Sequence, residues 1–423
     1  MAEPAKKPRV ATTTAGLRGV AWKPERLPAD TRISVHPLPT EDGAQVTGYL
    51  FRRGGERAVV CAMHPRELSV PQYLVPEVLL GGCAMWVQAA RSPGNDIRLE
   101  HESALLDLAA GQKFLRGQGG FEKTVLQGTS GGGPLAAFYC QQAGRSADQR
   151  IKRSPAGRPT GLETATLPAP DGVILVSSHL GQGRLLMNCI DPAVTDEQDP
   201  LQTDESLSAF NAANGFKRPP ESSSYDADFL KRYRAAQRER VARIDAVAKK
   251  HVARRAEARA RMKEQPSRAD AILTAHSPIF TVWRTDADPR CFDLSLEPSD
   301  RAYGTLWGGN PIASNYGSVG FARVCTPESW LSNWSALSSN AAMEACAPDI
   351  SQPTLMIEYT GDNSVFPSEA DAIFGWIGAA AKARHKIHGN HHGQAIAEDA
   401  PSGQLEAGKR IREWLADKGF GSA

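Results

Sequence analysis

Apolar runs and amphipathic stretches alternate along most of the chain. Arg32–Pro39 and Gln45–Arg52 read as two strands joined by Glu41-Asp42-Gly43, a hairpin signal. Residues 57–63 form a continuous apolar run, as expected of a strand covered on both faces, and end at His64-Pro65-Arg66-Glu67. A helix follows with Leu74, Val75, Val78 and Leu79 on one stripe, stopping at Gly81-Gly82. Residues 84–89 repeat the buried-strand pattern, and the next helix sets Leu105, Leu108, Ala109 and Leu115 at helical spacing. A short strand through Val125 and Leu126 leads to a helix carrying Leu135, Ala136, Phe138 and Tyr139. Gly172–Val176 is a further strand, ending at Ser177-Ser178-His179. The pattern lapses near Cys189 and resumes with a strand over 354–362 and a helix bearing Ile373, Phe374 and Ile377. A short strand at 386–388 then runs into Gly389-Asn390-His391-His392-Gly393, and a closing helix buries Leu405, Ile411 and Leu415 and stops at Gly419. Strands alternating with amphipathic helices predict an α/β class fold, a mostly parallel sheet flanked by helices.

The length of 423 residues exceeds an ordinary single domain and calls for an insertion or a second domain. The lapse in pattern locates it. Residues 31–190 and 350–423 form one α/β domain, 191–349 an insertion, and 1–30, rich in Lys, Arg, Pro, Thr and Ala, a loose tail. A net charge of +2 gives no global case for nucleic acid or membrane partners. The seven cysteines are scattered without C-x-x-C spacing, which argues against a disulfide framework or a structural zinc. No cationic start leads into an apolar segment, and the most apolar window, near 74–90, is broken by Glu77, Gly81-Gly82 and Gln88. The expected setting is the cytoplasm.

The chemistry centres on Gly128-Thr129-Ser130-Gly131-Gly132, a G-x-S-x-G pattern at a predicted strand-to-helix turn. A sharp turn there would hold Ser130 in strained geometry at the carboxyl end of the sheet, with the helix N-terminus behind it and the Gly131 N–H aimed at an oxyanion. The same glycines could cradle a phosphate, but the spacing is neither of the usual nucleotide patterns. Asp362 and His392 follow in the chain, each just past the end of a predicted strand, where open parallel sheets place ligands.

In the order Ser130, Asp362, His392 the sequence resembles the α/β-hydrolase family over roughly 32–190 and 350–423. Gly361-Asp362-x-x-Val365-x-Pro367 resembles the family's acid loop, and Gly389-x-x-His392-Gly393 its histidine loop. The resemblance implies an α/β-hydrolase fold with a large cap insertion between strands 6 and 7. It implies a serine nucleophile, Ser130, with His392 as base and Asp362 orienting it, and neither metal nor cofactor. His64-Pro65 stands where the family has His-Gly. Proline removes an N–H, so the second oxyanion donor, beside Gly131, is expected from the Arg66 backbone. His391 is expected to face solvent or the insertion, because neighbours on an extended loop point in opposite directions.

His64, His101 and His179 read as structural or as residues supporting the acting groups from behind, Asp191 as a weaker rival acid, and His388, His391 and His392 as too poor in nearby carboxylate or thiol ligands for zinc. In the insertion, 226–264 reads as one helix with Phe229, Tyr233, Val241, Ile244, Ala248 and Val252 on its apolar stripe. Its basic face reads as a solvated lid surface with pairs such as Glu239–Arg243 rather than a nucleic-acid arm, since no aromatic residues interleave. Trp283, Tyr303, Trp307, Tyr316, Phe321, Trp330 and Trp334 either line a pocket or form the insertion's own core.

The expected activity is cleavage of a carboxylic ester of a small hydrophobic or aromatic molecule through an acyl-enzyme. The rivals are a thioesterase or carbon–carbon bond hydrolase with the same residues, and a binding protein on a hydrolase fold. The expected partner is a small ester-like molecule, with no nucleic acid or membrane, and a homodimer left open.

Overall fold

The computed structural model describes residues 24–421, apart from 69, 71 and 398. Residues 1–23, most of the expected tail, lie outside the described residues. Of the expected tail, only residues 24–30 are described. Pro24–Arg26 is a helical turn, Arg26 pairs with Glu77, and Leu27 packs on the core.

The first half of the chain alternates strand and helix. It comprises β1 (Arg32–Pro39), β2 (Gln45–Arg52), β3 (Ala58–Met63), α1 (Val75–Leu80), β4 (Ala84–Gln88), α2 (His101–Arg116), β5 (Lys123–Thr129), α3 (Gly132–Gly144), β6 (Gly172–Val176) and α4 (Gln182–Cys189). A long stretch follows with α5 (Ala227–Glu264), α6 (Arg268–Ala275), the short strands β7 (Phe280–Thr281) and β8 (Val324–Cys325), α7 (Pro311–Tyr316), α8 (Pro327–Ser329) and α9 (Met343–Cys346). The chain closes with β9 (Thr354–Tyr359), α10 (Pro367–Trp376), β10 (Lys382–Ile387) and α11 (Gly403–Asp417).

Eight strands form one sheet in the order β1-β2-β4-β3-β5-β6-β9-β10. Only β2 runs against its neighbours; every other pair from β4 to β10 is parallel. Side chains alternate between faces along each strand. Val59, Cys61 and Met63 of β3 join Leu126 of β5 in the layer under α2 and α3. Val60 and Ala62 join Val125, Leu355 and Ile357 in the layer under α1 and α11. Both faces are covered, which is why the central strands read as unbroken apolar runs. Leu405, expected on the buried side of the last helix, is half exposed, whereas Ile411 and Leu415 are buried as expected.

The chain between β6 and β9 has its own apolar clusters. Val241, Ile244 and Ala248 of α5 pack with Val282, Trp330, Leu331 and Trp334, and with Leu186 and Ile190 at α4. Phe229 and Tyr233 pack with Tyr225, Phe292 and Phe366. Asp226 caps α5, its Oδ1 accepting the Phe229 N–H at 2.6 Å. Part of the basic face is structural. Arg240 is fully buried, bonded to Glu197 and to backbone carbonyls, and Arg234 is bonded to Asp288. Arg243 donates to the Val194 carbonyl rather than to Glu239. Among the described residues, no helix is long and apolar enough to cross a membrane. All seven cysteines are free and buried.

Candidate active site

Ser130 sits between β5 and α3 at φ 52°, a left-handed conformation rare for a residue with a Cβ. The turn exists because its neighbours lack side chains. A Cβ on Gly128 would lie 2.5 Å from the Gly132 carbonyl oxygen, and one on Gly133 would lie 2.1 Å from Ser178 Oγ. The Ser130 N–H donates to the Val176 carbonyl at 2.9 Å, tying the turn to β6. Gly131 is the N-cap of α3, at the helix end where backbone N–H groups lack intrahelical acceptors.

The carboxylate and the imidazole reach this serine from the ends of β9 and β10. Asp362 is buried, and its Oδ1 accepts the Ser364 N–H at 2.7 Å and the Val365 N–H at 3.0 Å. Its two oxygens lie 2.9 and 2.8 Å from Nδ1 of His391, and His391 Nε2 lies 3.0 Å from Ser130 Oγ. The expected base was His392, and the structure moves this contact by one residue. The loop is a tight turn, not an extended segment. The Gly393 N–H donates to the Asn390 carbonyl at 2.7 Å, and Asn390 Oδ1 accepts the His392 N–H at 3.0 Å. His391 and His392 are the two central residues of that turn, and Gly393 follows at φ 72°. The His391 carbonyl accepts from Ser177 Oγ at 3.0 Å, fixing the backbone so that its ring points inward. His392 lines the same cavity with its ring edge-on to His391, the centroids 4.9 Å apart.

Burial is the largest influence on the His391 imidazole and opposes its protonation. The charge and hydrogen bond of Asp362, with a smaller contribution from Glu67, outweigh it and hold the pKa above the ordinary histidine value. Tyr73 and Tyr359 share a hydroxyl–hydroxyl hydrogen bond of 2.8 Å nearby, and the Tyr359 ring packs under Gly393. Asp191, the rival acid, is elsewhere. It is fully buried, with Oδ2 2.6 Å from Arg284 Nη2 and 2.8 Å from Asn315 Nδ2.

The Arg66 backbone is not free to serve as an oxyanion donor. The Arg66 N–H donates to His64 Nδ1 at 3.2 Å and the Glu67 N–H donates to the same atom at 3.0 Å. The Arg66 side chain pairs with Asp96 and covers the Trp334 ring. The proline at 65 does remove an N–H, but the ring before it collects the next two.

Ser130, His391, His392, His64 and Arg66 line one cavity. Its sheet side carries Gln72, Gln88, Gln127 and Thr129, and Thr129 Oγ1 accepts from both Gln72 and Gln127. Leu306, Trp307 and Phe321 come from the chain between β6 and β9. Of the aromatic residues singled out there, only Trp307 and Phe321 reach the cavity wall; Trp330 and Trp334 are core. His64, His179 and Gln182 also line the cavity, two of them read from sequence as structural or supporting and the third not singled out. His64 has a signal in the sequence, standing at the His-Gly position of the resemblance, whereas His179 and Gln182 have only their place just after β6. His101 lies behind the wall, fully buried, its Nδ1 3.2 Å from the Ser332 carbonyl. Among the described residues, no group of three or more His, Cys, Asp or Glu is placed to hold a metal ion.

No protein-family model and no curated protein matches the chain. Among solved structures, the DcsB complex with its substrate analogue is 14% identical, with 92% of this chain and 99% of that one covered at a TM-score of 0.46. The Pyrococcus furiosus esterase Pf2001 in space group C2221 is 11% identical, with 96% and 97% covered and a TM-score of 0.43. The hypothetical protein PA2218 from Pseudomonas aeruginosa is 12% identical, with 93% and 95% covered and a TM-score of 0.45. The fold is established by the strand order itself and not by these likenesses. With β2 alone running against the sheet, and a serine on a left-handed turn between the central strand β5 and α3, the chain has the α/β-hydrolase fold.

Proposed function

We propose that the chain is a serine hydrolase that cleaves a carboxylic ester of a small molecule through an acyl-enzyme. The observation that carries this reading is the unbroken hydrogen-bonded line from Asp362 through His391 to Ser130 Oγ at the wall of the cavity. Ser130 Oγ attacks the ester carbonyl carbon while His391 Nε2 takes the hydroxyl proton. The carbonyl π pair moves onto oxygen, and the Gly131 N–H donates to that oxyanion. Collapse of the tetrahedral species breaks the bond to the alkoxy oxygen, which leaves with the proton carried by His391. Water then attacks the acyl-enzyme, giving up a proton to His391, and the acid departs as Ser130 regains its hydrogen. Asp362 holds the imidazole in the tautomer that presents a lone pair to Ser130 and stabilises the imidazolium between steps.

In this reading the chain between β6 and β9 acts as a cap. The apolar wall from Leu306, Trp307 and Phe321 suits a hydrophobic or aromatic group. The opposite wall adds a preference absent from the sequence reading. Gln72 Oε1 and Gln127 Oε1 are buried with no hydrogen-bond partner, which favours a substrate carrying a hydroxyl or amino group at that end. A fluorophosphonate probe and a series of chromogenic esters of rising chain length test the proposal. Wild-type protein should be labelled at Ser130 and turn over esters, and Ser130→Ala should do neither. Labelling that persists in Ser130→Ala, or an unlabelled wild type, would refute it.

A further inference from the structure

The residue after Ser130 has no side chain, and three side chains from elsewhere converge where one would be. A Cβ on Gly131 would lie 2.8 Å from His64 Nε2, 3.2 Å from Gln182 Nε2 and 3.3 Å from His179 Nε2. The three nitrogens come from the loop after β3, the loop after β6 and the first residue of α4. All three residues line the cavity that Ser130 and His391 line.

Each nitrogen is a donor. His64 Nδ1 accepts two backbone N–H groups, from Arg66 and Glu67, so the proton of the neutral ring lies on Nε2. His179 Nδ1 accepts the Gly181 N–H at 3.1 Å, which fixes the same tautomer. Gln182 is 3% exposed, and its Nε2 is buried without a hydrogen-bond partner. Burial lowers the pKa of both rings, so they stay neutral and donate through one N–H each. That point is a covalent bond length from the Gly131 Cα and holds no ligand atom itself, but three donors crowded on this face of Gly131, beside Ser130 at the cavity wall and one of them buried without an acceptor, favour an electron-rich oxygen in the adjoining space.

Resting on the reading of Ser130 as nucleophile, we propose that the Nε2–H groups of His64, His179 and Gln182 form a side-chain oxyanion site beside the Gly131 N–H. The β3 loop supplies its donor through an imidazole rather than a backbone amide. The Arg66 and Glu67 N–H groups point into Nδ1, and the donor emerges at the far side of the ring. The role of Gly131 follows: a methyl group there would press against all three nitrogens and displace them. The donors are held before reaction by backbone hydrogen bonds and burial, so they need no rearrangement as charge develops.

Gln182→Met tests this with the least disturbance, since it keeps the length of the side chain and breaks no hydrogen bond made by Gln182 Nε2 in the free protein. The readouts are the second-order rate of Ser130 labelling by a fluorophosphonate, whose phosphoryl oxygen occupies an oxyanion site, and kcat and KM on p-nitrophenyl butyrate. Both the labelling rate and kcat should fall by about a hundredfold or more, with KM changed by less than about threefold and the melting temperature retained. Gly131→Ala, which drives a methyl group against the three donors, should lower both rates similarly. Wild-type labelling and turnover in Gln182→Met, or a loss confined to KM, would overturn the oxyanion site while leaving the nucleophile in place. An unlabelled wild type, or labelling that survives Ser130→Ala, would refute the nucleophile reading, and the oxyanion site with it.

Discussion

Replacing His391 by glutamine removes the group that, in the proposed mechanism, takes the Ser130 proton. Its Nε2 is 3.0 Å from Ser130 Oγ, and its Nδ1 faces both Asp362 oxygens. Glutamine can span part of the gap but cannot accept and return a proton, so kcat should fall by at least about a thousandfold, or roughly 4 kcal/mol of barrier. The fold should survive, because Asp362 keeps its bonds from the Ser364 and Val365 N–H groups. His392→Gln keeps the backbone contacts of the turn, the N–H to Asn390 and the carbonyl accepting from Gln404. It should lower kcat by less than about tenfold, with any larger effect in KM because the ring lines the cavity. Parallel kinetics on p-nitrophenyl butyrate, with thermal melts of both variants, make the comparison. In the proposed mechanism activity needs neutral His391. Because its pKa is held above the ordinary histidine value, activity should be lost as pH falls through a midpoint above 6.5. An inactive His392→Gln beside an active His391→Gln would refute the assignment.

Three further outcomes are expected. Asp362→Asn removes the charge that holds the His391 pKa up, so the acid limb of the pH–rate profile should move to lower pH while kcat falls by about 10⁴. Arg284→Met leaves the fully buried Asp191 without its cation and should destabilise the fold by about 3–5 kcal/mol in denaturant titration, with Ser130 labelling per folded molecule unchanged. Trp307→Ala removes an aromatic wall of the cavity and should raise KM for aryl esters more than for acetate esters in a matched series.

Most of the sheet was legible because each central strand is buried on both faces, so its sequence is a short apolar run between turn signals. The last strand was not. β10 begins at Lys382, four residues before the predicted start, and contributes Lys382, Arg384, His385 and Lys386 to its length. It is an edge strand bonded on one side only, and its charges are answered by tertiary partners. Arg384 pairs with Glu358 on the neighbouring strand and with Asp371 on α10. Such a strand carries no apolar signature. The long helix was readable to within a residue, from its cap and stripe, but its basic face was not. Nothing along the sequence marks Arg240 as a buried residue bonded across to Glu197 while Lys249 and Lys250 stay in water.

At the site, legibility followed how local each constraint is. Ser130 is set by its own pentapeptide, because the glycines that allow the turn are its neighbours. Asp362 is set by a strand end and by N–H groups two and three residues on. The histidine lies between two equivalent residues, and spacing borrowed from a resemblance chose the wrong one. What decides between them is a turn pinned by Asn390 from within and by Ser177 just past β6, and the second of these is 214 residues away. The donors around Gly131 are less local still. Three loops far apart in sequence meet at one point, and each ring's tautomer depends on N–H groups that point at it. The proline at 65 was read correctly as the loss of one donor. The ring of His64, turned by the two N–H groups that follow the proline, presents its far side to the cavity, a placement set by tertiary contacts and not by the residue's spacing.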